Sequence, residues 1–370
     1  MVQKDPGFII GPIARFLGWI IDFVFNIVYQ VTDKNSLGIS IIILTIIIRF
    51  LMLPLAFKSQ KSMIAMQKLT PEIDKIKKKY GDSKDAETQR KMSAEMQALY
   101  SKNKVSPFGG CLPLIIQMPI FFGLSYLMNQ SFLYIVKLRG IYESLAAQIS
   151  GIKDAVANPN VLPQWVLTLM SLGPKHVPTS FKDFQFVPTD AFNQTVQSAY
   201  GLIPGYSADE AQSNLIKLLN RLTQADWNTL FTDVINKLAA PDQVQAINSL
   251  YQQKNNIELF FGLNMLNNAG FMFPGVLIPI LAVLTTLLSS WLSMKLTAQT
   301  NKDSNAVMQQ RIMMFVMPLM MGAFTIFYPV GVGIYWITSS VFQVIQQAFL
   351  NQRYGVNLSA QKEDTKQHVG

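Results

Sequence analysis

Five runs of apolar residues, each close to or beyond the length a helix needs to cross a bilayer, divide this chain and set its solvent: Gly38–Phe57, Phe108–Met128, Phe273–Met294, Ile312–Phe327 and Val330–Leu350. Backbone inside hydrocarbon must satisfy its own hydrogen bonds, so runs of this length fold as helices. Half of the 370 residues are hydrophobic and 14% are charged, a balance that fits a polytopic membrane protein better than a soluble enzyme. The expected fold class is all-α: five transmembrane helices at residues 37–57, 107–129, 273–294, 312–328 and 330–350, a cytoplasmic helical hairpin, and an extracytoplasmic, mostly helical insertion.

The basic residues set the orientation. Lys58–Lys104, between the first two runs, carries twelve Lys/Arg against six Asp/Glu and is expected in the cytoplasm. Asn129–Met272 carries nine basic and ten acidic residues and then lies outside. Long connections cross largely regardless of charge, so the compact basic one has more weight. The loop 295–311 and the tail 351–370 return to the cytoplasm, leaving the N-terminus outside and the C-terminus inside. The net charge of +9 thus gathers at the inner face, where anionic lipids or RNA-bearing particles meet it, with no sequence-specific nucleic acid expected.

Asp5 and Pro6 occupy the place of a basic flank, so residues 1–36 do not read as a cleavable signal. In Phe8–Val31, Gly11, Arg15, Gly18, Asp22 and Asn26 recur every three or four residues, while Ile13, Phe16, Leu17, Ile20, Ile21 and Val24 fill the rest. This is the pattern of a helix lying in the headgroup region, with a sixth span as the alternative.

Lys58–Lys104, within a hairpin spanning 58–106, reads as two amphipathic helices joined near Tyr80-Gly81-Asp82-Ser83. Met63, Met66, Leu69, Ile73 and Ile76 form one stripe, and Met92, Met96 and Leu99 the other. Each stripe covers the other, and the hairpin is either a docking arm or a simple connector. The insertion, residues 130–272, holds helical patterns at Ala208–Asn220 and Asp226–Ala239, and its end, Ile257–Phe273, is apolar enough to lie on a membrane surface. The single cysteine, Cys111, excludes an internal disulfide and a multi-cysteine metal site. The two histidines, His176 and His368, lie outside the spans, and no nucleotide-binding loop occurs. No cofactor, metal or enzymatic chemistry is expected.

Within the first run stands Arg49, and none of the five runs contains an acidic residue. A cation at mid-helix costs about 2.5–3.5 kcal/mol on insertion scales, so it faces water or a partner, or snorkels toward Lys58. Polar residues of other runs fall on single faces: Thr45 one turn before Arg49; Gln117 with Gly110, Pro113 and Ser125; Thr286, Ser289, Ser290 and Ser293; Trp336, Ser339, Ser340 and Gln343. Any one of these can serve helix–helix hydrogen bonding. Together with an arginine lacking a carboxylate, the set describes a hydrated cavity. Met308, Met313, Met314, Met317, Met320 and Met321 add flexible thioethers, either core filler or an adaptable contact for apolar segments, for which Met313, Met314, Met317 and Met321 are the candidates. The absence of Asp, Glu and His from the runs disfavours a small-solute transporter or channel, the alternative use of such a cavity.

Three stretches, ILTIIIRFLMLPLAFKSQKSMIAMQKLTPEIDKIKKKYGD, SPFGGCLPLIIQMPIFFGLSYLM and YPVGVGIYWITSSVFQVIQQ, resemble the YidC-type membrane protein insertases in order and placement. The resemblance covers roughly the first 130 and the last 100 residues. It implies a bacterial inner-membrane protein that inserts and helps fold nascent membrane proteins with short hydrophilic tails, alone or beside the Sec translocon, with ribosome and membrane lipids as partners. It implies that Arg49 lies in a hydrophilic groove open to cytoplasm and lipid, with Gln117 and Trp336 facing it. The substrate-binding groove is expected to comprise Arg49, Thr45, Gln117, Thr286, Ser289, Ser290, Trp336, Ser340 and Gln343. The long connection 130–272 departs from the family's usual short one.

Overall fold

The computed structural model describes residues 7–81, 85–106, 112–152, 215–216, 219–220, 222–297 and 315–367. Cys111, His176, His368, Met308, Met313 and Met314 lie outside them, as do the side chains of Met317 and Ser293 and residues 208–214 of the expected Ala208–Asn220 helix.

The elements in chain order are α1 (Ile10–Val31), α2 (Ser36–Tyr80), α3 (Ala86–Lys102), α4 (Leu112–Asn129), α5 (Ser131–Tyr134), α6 (Val136–Ser150), α7 (Gln224–Leu230), a π-helical turn Phe231–Ile235, α8 (Asn236–Leu238), α9 (Pro241–Glu258), β1 (Leu259–Phe260), β2 (Leu263–Asn264), α10 (Leu277–Thr297), α11 (Met317–Ile326) and α12 (Val330–Gln367). The protein is thus mostly helical, as expected. Among the described residues, Ile10–Val31 and Ser36–Ser62 are long and apolar enough to cross a membrane, and Ile115–Asn129 and Leu277–Leu292 are shorter apolar helices.

The chain forms two compact units: residues 1–44, 122–269 and 328–332, and residues 45–121, 270–327 and 333–370. In the first, α1 buries Ala14, Leu17, Ile21, Phe25 and Val28. It leaves Phe16, Trp19, Phe23 and Ile27 exposed as a second stripe, which core packing does not require. Gly11 and Gly18, expected on its polar face, are instead buried: a Cβ at Gly18 would sit 2.2 Å from the Tyr134 ring, so glycine permits the close approach of α5. Asp22 accepts from the backbone N–H of Val136 at 2.9 Å, supplying the N-terminus of α6 with an acceptor its own cap residue, Ile135, lacks.

Helices α6 and α9 pack together, burying Ile141, Leu145 and Ile149 beside Ile247, Tyr251 and Ile257. A capping box between Thr223 and Asp226 starts α7 and Pro241 starts α9. The insertion also contains what an all-helical reading did not anticipate. Strands β1 and β2 pair antiparallel, Leu259 with Asn264 and Phe260 with Leu263. Beyond them Gly331 and Val330 donate backbone hydrogen bonds to Met265 and Asn267, both at 2.8 Å.

In the second unit the basic hairpin is antiparallel. Ser62 donates to the Ser106 carbonyl at its base, while Lys79 and Tyr80 reach Glu95 near its tip. Asp85 caps α3 through the Thr88 N–H, and Gly81, at φ +57°, takes the left-handed conformation past the end of α2. The first arm is a direct continuation of the first apolar run: residues expected as separate span and hairpin elements form one helix of 45 residues, with Pro54 and Pro71 inside it. Helices α10 and α11 also pack closely, since a Cβ on Gly322 would fall 2.0 Å from Val283.

Candidate functional site

Four helices of the second unit bring polar side chains together, and α12 is their hub. It presents Tyr335 and Ser339 one turn apart on one side, and Trp336 and Ser340 one turn apart beside them, because i and i+4 stack on a helix surface. All four are buried.

On the first side, Arg49 Nε of α2 donates to Ser339 Oγ at 2.7 Å. Gln117 Nε2 of α4 donates to Tyr335 Oη, also at 2.7 Å. The Tyr335 hydroxyl further interacts with Ser339 and with the Arg49 charge, so Gln117, Tyr335, Ser339 and Arg49 form one connected polar chain. On the second side, Thr286 Oγ1 of α10 gives its single proton to the Ala282 carbonyl at 2.7 Å. It therefore receives from both Trp336 Nε1 at 3.0 Å and Ser340 Oγ at 3.1 Å. The Trp336 ring meets Phe121 edge to face at 5.9 Å.

The expected residues fall into three groups. Arg49, Gln117, Thr286, Trp336 and Ser340 are joined by these bonds. Thr45 and Ser289 are buried and Ser290 is half-buried on the expected helices. Gln343 is exposed on α12, apart from the bonded set, while Gln347, one turn further, is buried. Sequence reading left Tyr335 out because it passed for an aromatic of the apolar run. Its signal was its place one turn before Ser339, which marks it as part of a polar stripe rather than a lipid face. Met321 is half-buried on α11, whose exposed surface carries Leu319, Met320 and Phe324, with Phe315 and Val316 exposed just before it.

The guanidinium is the only charged group of the bonded set, and it is half-buried. Among the described residues its hydrogen-bond partner is a neutral hydroxyl, and only Nε of its N–H donors is engaged. One hydrogen bond to a charged group contributes about 1.5–3 kcal/mol, comparable with the cost of placing the cation in a span and insufficient to satisfy the remaining donors. The arrangement is suited to holding water or an incoming acceptor, and it contains no nucleophile–base pair.

A mostly helical chain with long apolar helices, and with polar side chains bonded to one another between helices, is compatible with a membrane protein. The sequence profile of the 60Kd inner membrane protein family matches residues 27–198 and 214–357, and the chain belongs to that family, which includes the YidC-type insertases. The membrane protein insertase YidC of Oceanobacillus iheyensis is 24% identical over 339 residues, covering 90% of this chain and 84% of that relative. Over 88 residues, 24% of this chain and 34% of the relative, the identity with membrane protein insertase YidC 2 of Bacillus anthracis is 52%. Membrane protein insertase MisCA of Bacillus subtilis is 50% identical over 96 residues, 26% of this chain and 36% of the relative.

Proposed function

We propose that this chain is a membrane protein insertase that also assists folding, and that its working element is a hydrophilic groove centred on Arg49 and open to the cytoplasm. The observation that carries the reading is the Arg49–Ser339 hydrogen bond: a cation in an apolar run is held by a neutral hydroxyl, leaving donors for water or a client. Family membership and the names of the relatives support the activity. Thr45, Ser289 and Ser290 extend the polar lining. The N-terminus lies outside, α1 rests in the headgroup region, and the hairpin and C-terminal tail lie in the cytoplasm.

The clients are nascent membrane proteins with short hydrophilic tails, delivered by a ribosome docked near the basic hairpin or shared with the Sec translocon. The tail of the client enters the hydrated region and replaces part of the water around the guanidinium, with acidic tails favoured. The apolar segment then passes the exposed face of α11, including Met321, into lipid. Burial of roughly twenty apolar residues supplies the driving force, and no covalent step is needed.

Purified protein in liposomes tests this. Insertion of a single-span client is expected with wild type and with Arg49→Lys in part, and strongly reduced with Arg49→Ala for an acidic-tailed client. Normal insertion by Arg49→Ala would remove the electrostatic role, whereas solute flux without insertion would replace the insertase reading altogether.

A further inference from the structure

The turn between β1 and β2 projects an aromatic ring outward from the first unit. Phe261 and Gly262 are its two central residues, with φ of +49° and +80°. Both positive values mark the primed hairpin turn, a place ordinarily taken by Asn-Gly. A phenylalanine in the left-handed region is sterically disfavoured, yet its ring is held 86% exposed. Core packing does not account for such a residue.

The ring is held on a firm mount. Phe261 meets the Phe260 ring at 4.7 Å, edge to face. Phe260 lies directly over Gly38, where an added Cβ would fall 2.4 Å from its ring, and Asn35 N–H donates to the Asn256 carbonyl at 2.8 Å. Both strands are tied down through Glu258, the last residue before β1, whose carboxylate accepts from Asn264 of β2 at 2.8 Å. Gly38 belongs to the first turn of the α2 span. The hairpin is therefore fixed at the level where the span begins.

Charge identifies the occupant. From Leu259 to Met294 no Asp, Glu, Lys or Arg occurs, so the turn belongs to an uncharged run that continues through exposed Phe271, Met272 and Phe273 into α10. The preceding charge, Glu258, is buried and paired with Lys254. An uncharged apolar tip at the start of a span matches the headgroup–acyl boundary, and the exposed charges that precede its mount in the chain, Asp33 and Lys34, fall just before the span begins. We infer that the β1–β2 turn is a lipid anchor: Phe261 inserts into the leaflet and holds the packed helices α6 and α9 against the membrane surface. This rests on the membrane placement of α2 proposed above.

The test uses full-length protein in phosphatidylcholine–phosphatidylglycerol liposomes. In a Cys111→Ser background, Phe261→Cys carries an environment-sensitive fluorophore, with Gln252→Cys on the exposed side of α9 and Leu51→Cys on the exposed side of α2 as references. Lipid chains bearing a shallow nitroxide are expected to quench the Phe261 position several-fold more than Gln252, and aqueous iodide several-fold less. Iodide quenching equal to that at Gln252 would overturn the anchor. Protection from both quenchers would also overturn it, in favour of cover by a second copy of the chain. Lipid quenching at Leu51 without any at Phe261 refutes the anchor while leaving the span intact, whereas none at either position refutes the membrane placement itself.

Discussion

Lys254 in the insertion is buried and Arg49 in the first apolar run is half-buried, and the surroundings of the two cations differ in kind. Lys254 is 2% exposed and pairs with the equally buried Glu258 at 2.9 Å. It also lies over the rings of Trp227 and Tyr251. Glu258 in turn accepts from Tyr142 Oη at 2.6 Å and from Asn264, so both carboxylate oxygens are engaged. Burial pushes the Tyr142 phenol well above its usual range, with the Glu258 charge adding to the effect, so it stays protonated and keeps donating. Arg49 has a serine hydroxyl and a tyrosine for company. A cation held by a carboxylate and two aromatic rings is part of a packed core, while one held, among the described residues, by a neutral hydroxyl is the group that the proposed function assigns to a client.

The comparison breaks first if Lys254 is not structural. Replacing it by Met leaves Glu258 buried without its counter-ion and is expected to cost about 3–5 kcal/mol, whereas replacing both residues with apolar ones of similar size restores only part of the loss, because the buried Tyr142 hydroxyl and the Asn264 amide then lose their acceptor. Differential scanning fluorimetry of the full chain, together with protease resistance of the insertion, reads this. Equal destabilisation by the single and double changes would show that the pair is not a unit.

Arg49→Ala is expected to act in the opposite sense, sparing stability while lowering insertion of an acidic-tailed client by about tenfold, the scale of one lost charge-assisted hydrogen bond. Loss of folded protein in place of insertion would erase the contrast with Lys254. Thr286→Val sharpens it within the polar set: it strands the Trp336 N–H and the Ser340 hydroxyl, costing about 1–3 kcal/mol, and should shift Trp336 fluorescence. An unchanged spectrum and melting curve would indicate that these donors find other acceptors.

The smallest effect belongs to the exposed hairpin tip. Lys79 holds the Glu95 carboxyl below its usual range, and Glu95 raises Lys79. Because the folded value of Glu95 is depressed, its contribution is present above the ordinary carboxylate range and fades as pH falls through the lowered value. That of Lys79 is present at lower pH and fades only as pH rises through its raised value. Distances between spin labels across the tip should stay constant between these limits and broaden slightly on acidification. Tip geometry unchanged at low pH would assign the pairing to Tyr80 and backbone packing.

Much of the fold is legible in the amino-acid sequence. Apolar runs and the 3.6-residue period located the helices, and the two methionine–leucine stripes located the hairpin, because both signals are repeated over many residues. The bonded partners Arg49, Gln117, Thr286, Trp336 and Ser340 stood out because polar residues within apolar runs need partners. Tyr335 was not, since an aromatic ring looks the same to a hydropathy count whether or not its hydroxyl is used. The β1–β2 hairpin was hidden for another reason: two-residue strands leave no periodicity, and Phe-Gly is not the usual turn pair. The Lys254–Glu258 pair has the i,i+4 spacing of ordinary surface charge, from which only burial distinguishes it.

The unbroken course of α2 from Ser36 to Tyr80 has a mechanical corollary. A helix of this length runs roughly 67 Å at the helical rise, with Pro54 and Pro71 each removing one bond from its ladder, and each residue added near Phe57 would turn the distal arm by about 100° relative to Arg49. The residue count between Arg49 and the hairpin arm, rather than a loop, therefore sets the direction in which each faces.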